Sequence, residues 1–242
     1  VMWQFVAALE GISDACRHLH IPVVSGNVSF YNETNGLSIY PTPVLGMVGL
    51  IEPAHLVTTQ WFKHPGDQII LLGETNEDLG GTEYLKFIHN REQGNPPWLD
   101  LDREETLHRL LHQSIQQGLV ESAHDCSEGG LAVTLSECCI SHPSQPLGAS
   151  IQLDQKRLRV DALLFGESPS RAIITVSSQN MKALLNIAQE QGVPATVIGE
   201  VGGTTLSISV LDEATTEVAK LKLSVEDLTE AWGLSFEQHM NQ

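Results

Sequence analysis

Basic side chains are scarce: 13 Lys plus Arg stand against 30 Asp plus Glu in 242 residues, a formal net charge of −17. A surface of that sign repels polyphosphate backbones and anionic lipid, which argues against nucleic-acid and membrane-surface functions. Any phosphate-bearing ligand must then be held by local backbone amides, a metal ion or another chain. Long hydrophobic runs are missing too: stretches such as Val44 to Ile51 fall far short of the ~20 residues a membrane helix needs. The opening Val1-Met2-Trp3-Gln4-Phe5 lacks the basic-then-apolar order of a secretory signal, which predicts a cytoplasmic protein. Only four cysteines occur, without a C-x-x-C spacing, and Cys138 and Cys139 are neighbours, so they are expected to be reduced and mostly buried. There is no H-E-x-x-H, G-x-S-x-G, Walker-type G-x-x-x-x-G-K-[ST] or G-x-G-x-x-G, so common hydrolase, P-loop and dinucleotide readings lose their support. Aromatics make up 5%, yet hydrophobic residues reach 41% against 18% charged, an ordinary globular balance that excludes disorder as the main state.

The length suits one large or two modest domains. Met2, Phe5, Val6, Leu9, Ile12, Cys16 and Leu19 recur at spacings of three and four, an amphipathic helix with a broad apolar stripe. No capping residue announces it, so the chain reads as a piece of something longer. Pro22-Val23-Val24 reads as a short strand running into the polar loop Ser25-Gly26-Asn27-Val28-Ser29, and Val44 to Ile51 as a buried strand. A connector rich in Pro and Gly places a domain boundary near residues 53 to 65. Beyond it helices are predicted over 82–89, 104–118, 130–140, 160–165 and 180–192, with strands over 67–72, 148–153, 172–176, 195–201 and 206–210. That order is α+β, built as α/β layers with a mixed sheet and packed helices. The tail from Val225, with Leu228, Trp232 and Phe236 spaced by four, reads as a last helix packing one apolar face.

Several constellations can carry chemistry. The loop Ser25 to Thr34 offers a glycine that lets a phosphate approach and an Asn amide oxygen of the hard kind Mg²⁺ accepts. The same residues also make an ordinary tight polar turn. Ser122-Ala123-His124-Asp125-Cys126-Ser127-Glu128-Gly129-Gly130 feeds an apolar helix; its free amides can hold an anion, or Ser127 or Asp125 can simply cap the helix. Cys126 there has no assigned base, which leaves a thiolate nucleophile a secondary reading. In Leu79-Gly80-Gly81-Thr82-Glu83-Tyr84, Thr82 reads as a helix start. Glu167 and Arg171 either face a ligand or form a surface pair of little worth. Glu104, His108 and His112 are spaced by four on one helix, but Leu107, Leu110, Leu111 and Ile115 already define its buried face, which weighs against zinc.

Met2-Trp3-Gln4-Phe5, Pro22-Val23-Val24-Ser25-Gly26-Asn27-Val28-Ser29-Phe30-Tyr31-Asn32-Glu33-Thr34, Tyr40-Pro41-Thr42-Pro43-Val44, Leu79-Gly80-Gly81-Thr82-Glu83-Tyr84-Leu85 and the 122–133 stretch together, in order and over nearly the whole chain, closely resemble the second half of phosphoribosylformylglycinamidine synthase subunit II. That resemblance implies the aminoimidazole ribonucleotide (AIR) synthetase superfamily. Residues 1–52 then form a partial AIR synthetase N-domain-like segment and residues 66–242 an AIR synthetase C-domain-like domain. It further implies an enzyme that uses ATP and Mg²⁺ to convert the amide of formylglycinamide ribonucleotide into an amidine, with ammonia from a glutaminase subunit or domain. Gly26 corresponds to an ATP contact, Asn27 to a Mg²⁺ ligand and Ser29 to a contact with the ribonucleotide substrate. The catalytic histidines and main acidic metal ligands belong to the first half of the family's polypeptide, so no catalytic residue is expected here and this segment alone is expected to be inactive. The 73–84, 124–130 and 166–170 turns look like counterparts of first-half ligand turns, but those roles are not transferred; Pro169 stands where the family is expected to carry Gln. A selenophosphate synthetase or thiamine phosphate kinase relative is the first rival, opposed by the Asn32 to Pro43 stretch. A non-catalytic scaffold or auxiliary nucleotide-binding domain is the other. A severed N-domain is expected to self-associate through residues 1–52.

Overall fold

The computed structural model describes residues 2–28, 33–40 and 42–240, with 234–240 given as helical backbone alone. Contacts divide the chain into two units, Val1–Glu52 and Pro53–Gln242.

In the first unit, helix α1 (Met2–His18) follows the predicted period and buries none of its residues. Strands β1 (Glu33–Thr34) and β2 (Leu37–Ser38) pair antiparallel. Their turn is Asn35-Gly36, with φ of 53° and 80°, the left-handed pair that the twist of a two-residue hairpin requires; a search for apolar alternation passes over it. The strands expected at Pro22–Val24 and Val44–Ile51 do not form, and Val44 and Val48 are 94% and 102% exposed. A strand exists through its ladder, and among the described residues neither run has a partner strand.

The second unit is one mixed seven-stranded sheet, ordered β4-β6-β3-β7-β5-β8-β9. Its strands are β3 (Gln68–Leu72), β4 (Ser122–Asp125), β5 (Ala149–Asp154), β6 (Ala172–Val176), β7 (Ala195–Val201), β8 (Thr205–Leu211) and β9 (Glu217–Ser224). Central β3 is apolar without alternation because both faces are covered. Ile69 and Leu71 join one core while Ile70 and Leu72 join the other. The first core packs under helices α4 (Gly130–Ile140) and α5 (Val160–Phe165). The second packs under α3 (Leu101–Gln116) and α6 (Met181–Gln191). On β5 alternation returns: Ala149, Ile151 and Leu153 are buried while Ser150, Gln152 and Asp154 face solvent, so that half of the sheet is covered on one side only.

Residues 58–62 belong to this unit's fabric. Phe62 is 1% exposed in the first core, its N–H donates to Cys138 O at 2.9 Å, and the Ala123 N–H donates to Thr59 O at 3.1 Å. Helix α2 (Glu83–His89) starts at Thr82 as predicted, the hydroxyl accepting from the Leu85 N–H at 3.3 Å. Helix α3 begins earlier than expected because Asp100 caps it, accepting from the N–H groups of Asp102 and Arg103. The last helix, α7 (Val225–Met240), packs Val225 and Leu228 on the first core, whereas Trp232, predicted on the same apolar face, is 63% exposed. The side chain of Phe236 lies outside the described residues. All four cysteines are free thiols; Cys126, Cys138 and Cys139 are buried and Cys16 is half-buried.

Candidate functional site

Two groups of candidate residues emerge, one in each unit. In the first, Ser25, Gly26, Asn27 and Val28 are exposed and outside any helix or strand. Gly26 does not adopt a left-handed backbone, and a Cβ placed on it meets nothing within 4 Å. This unit's own packing therefore does not require glycine there. Ser29, the expected substrate contact, lies outside the described residues.

In the second unit the topology gathers the three turns singled out from the sequence. Strands β3 and β4 flank β6 and both run antiparallel to it, so their C-terminal ends lie beside its N-terminal end. The turns after Leu72 and Asp125 and the turn before Ala172 thus meet at one end of the sheet. Glu167 ties them together, its Oε1 accepting the Gly129 N–H at 2.8 Å and the Glu83 N–H at 2.9 Å. One carboxylate oxygen therefore serves the starts of both α4 and α2. The Ser168 hydroxyl accepts from the Asn76 N–H at 3.0 Å. Gly130, at φ 68°, packs so closely that a Cβ would stand 2.6 Å from Gly166 O.

This arrangement decides three points that the sequence left open. Neither Ser127 nor Asp125 caps α4: its N-cap is Gly129 at φ 77°, without a side-chain cap, and the Ser127 hydroxyl donates to Asp125 instead. Cys126 is no activated nucleophile, because burial pushes its thiol up, against the opposing pull of Arg171. Glu167 and Arg171 are not a surface pair: Arg171 is 2% exposed. Its guanidinium donates to Ser168 O at 2.9 Å, Thr75 Oγ1 at 3.0 Å and Gly166 O at 2.7 Å. Burial lowers the Arg171 pKa, while Cys126, Asp78 and Glu167 favour the charged form.

Beside the turns, a cavity of about 410 Å³ is lined by Thr59, Trp61, Glu104, His108, His124 and Asp125, among others. His124 sits between two carboxylates, Nδ1 at 3.1 Å from Asp125 and Nε2 at 3.0 Å from Glu137. The Asp125 carboxyl is held below the usual range, first by the Ser127 hydroxyl bond and also by His124. Sequence reading missed Glu137, which follows His124 by 13 residues on the next helix, beyond any short motif. His108 faces Glu104 at 2.9 Å, yet among the described residues no group of three or more His, Cys, Asp or Glu is arranged to hold a metal.

Residues 64–211 match the family described as AIR synthase related protein, C-terminal domain, and residues 1–51 match its N-terminal domain. The chain belongs to the AIR synthase related family, and its α+β architecture agrees. Within that family, nearly all of it is similar to the phosphoribosylformylglycinamidine synthase subunit PurL. It is 43% identical to PurL of Anaeromyxobacter dehalogenans strain 2CP-1 over 239 residues, covering 96% of this chain and 30% of that protein. T. maritima PurL complexed with FGAR shares the fold at a TM-score of 0.59 and 23% identity, over 73% of this chain and 30% of that one. The same protein complexed with ATP gives a TM-score of 0.55 at 22% identity, over 73% of this chain and 28% of that one. The chain spans about 30% of the length of the curated relatives it matches.

Proposed function

We propose that this chain is one part of a phosphoribosylformylglycinamidine synthase of purine biosynthesis, contributing a binding loop to an active site completed by the rest of the polypeptide. Residues 1–52 would be the end of an N-domain and residues 66–242 the following C-domain. Support comes from the similarity to PurL along the chain and from the T. maritima protein's complexes with ATP and FGAR. The observation that carries the reading is the exposed Gly26-Asn27 pair, where nothing in the chain's own packing calls for glycine.

In this reading Gly26 lets an ATP phosphate approach the backbone closely. Asn27 offers its amide oxygen to Mg²⁺, for which an exposed hard oxygen is a suitable ligand. Ser29 reaches the ribonucleotide. ATP, when bound, supplies the phosphoryl group that makes the substrate's amide oxygen a leaving group, which ammonia from a glutaminase then displaces. This chain's residues position and neutralise charge in such a step; the proton-transfer and main metal-binding groups would come from the first half. Alone, the segment would be inactive in the cytoplasm or in the tube.

Isothermal titration with ATP and Mg²⁺ tests this. Binding is expected only once the complementary part of the polypeptide is added. Asn27→Ala should then weaken the Mg²⁺-dependent binding by at least about tenfold, since even outer-shell losses at metal sites cost roughly 10–100-fold. Nucleotide binding by the isolated chain that ignores Asn27→Ala would overturn the reading.

A further inference from the structure

We propose that Glu167 is an internal anion that fills the amide cradle where the three turns meet, closing this end of the sheet to an external phosphate or carboxylate. The inference does not depend on the role given to the Gly26-Asn27 loop. Two backbone donors from different turns, Gly129 and Glu83, converge on the same Oε1. Gly129 opens an 11-residue helix whose N-terminus has no side-chain cap of its own, so the end of the dipole that attracts anions is met by this carboxylate. Independently, Arg171 is buried at the same place with neutral oxygens as its hydrogen-bond acceptors. Glu167 is one of the groups that favour its charge. Amides and helix end thus make one positive cradle, the guanidinium holds the Gly166 and Ser168 carbonyls on either side of Glu167, and the negative charge in the cradle is supplied by the chain.

The neighbouring groups are engaged as well. Ser168 is fully buried and bonded to Asn76, and the Glu167 N–H donates to Asp78 O at 3.0 Å. An incoming phosphate would have to displace a tethered carboxylate, whose effective concentration a free ion cannot match. The cluster is therefore a closed junction that ties together the turns at the ends of β3, β4 and β6, and not a nucleotide site.

The test is chemical rescue in the full chain. Melting curves of wild type and Glu167→Ala are compared in sodium chloride, acetate and inorganic phosphate at matched ionic strength. Wild type should show no saturable gain from acetate or phosphate, only the gradual rise that excluded salts give to folded proteins in general. Glu167→Ala should melt several degrees lower in chloride and recover, saturably, in acetate or phosphate as the free anion enters the vacated cradle. Wild type stabilised specifically by phosphate, or a variant indifferent to all three anions, would overturn the proposal. Should Glu167→Ala fail to fold, Glu167→Gln keeps the shape without the charge. Its Gly129 and Glu83 amides should exchange with solvent faster than in wild type, and unchanged exchange there would sink the idea.

Discussion

Asp67 is the least comfortable residue of the second unit. It is 5% exposed, its Oδ2 has no hydrogen-bond partner, and its carboxyl is pushed above the ordinary 3.8, first by burial and then by Glu121, against the pull of His64 and Lys63. A raised carboxyl pKa means that the folded state keeps its proton to higher pH than the unfolded chain. Stability therefore falls as pH rises from the unfolded value through the folded one, and stays reduced above both. Asp67→Asn removes the buried charge and its repulsion from Glu121, so it should raise stability at pH 7 by about 1 kcal/mol, the scale of one unmet buried polar group. Below pH 3.8 the gain should vanish. Urea midpoints across that range are the measurement, and a gain that does not depend on pH would contradict it. Arg171 is the opposite case, a buried charge with every described bond well made. Arg171→Lys keeps the charge but not the fork that reaches Ser168, Thr75 and Gly166. A loss of about 2–3 kcal/mol is expected, the worth of a charged hydrogen bond or more, seen as a lower urea midpoint with an unchanged slope.

The elements show which parts of a fold a sequence writes down locally. Helices α4 and α5 and strands β6 and β7 coincide with their predicted spans because each is an apolar run closed by glycine, serine or proline. Strand β4 is absent from the predicted strands: Ser-Ala-His-Asp has no apolar pattern, and it is extended because Thr59 and β6 bond it from both sides. Strand β9 was missed for a related reason. It is an edge, with Lys220 and Lys222 exposed, and edge strands carry charge where a core reading expects alternation. The candidate sites divide the same way. Gly26-Asn27 is contiguous and visible, whereas the partners of Glu167 lie 84 and 38 residues away and only the sheet order brings them together. That junction has little slack. Gly130→Ala would hold an L-residue at φ 68° with its Cβ 2.6 Å from Gly166 O. Left-handed backbone alone costs about 1–2 kcal/mol, and the overlap adds to it by pushing α4 from the 166 turn. A thermal midpoint within a degree of wild type would show that the junction yields more easily than this geometry allows.

At the scale of the whole molecule the two units differ in kind. The second has two apolar cores on its sheet, while α1 in the first buries none of its residues and Met2, Trp3, Val24, Val44, Met47, Val48 and Leu50 all stand largely exposed. Apolar surface of that extent drives association unless something covers it. Opposing it is the net charge of −17, whose mutual repulsion reaches only as far as the Debye length, about 10 Å at 0.1 M salt and about 3 Å at 1 M. Association should therefore strengthen as salt is added, the reverse of what ion pairing between copies would give. Light scattering at tens of micromolar should show the 242-residue chain growing beyond a monomer between low and high salt. The unit Pro53–Gln242, expressed alone, should stay monomeric throughout because its apolar residues are largely in its own cores. A full chain that remains monomeric in high salt, or an isolated second unit that associates equally well, would move the cause away from residues 1–52.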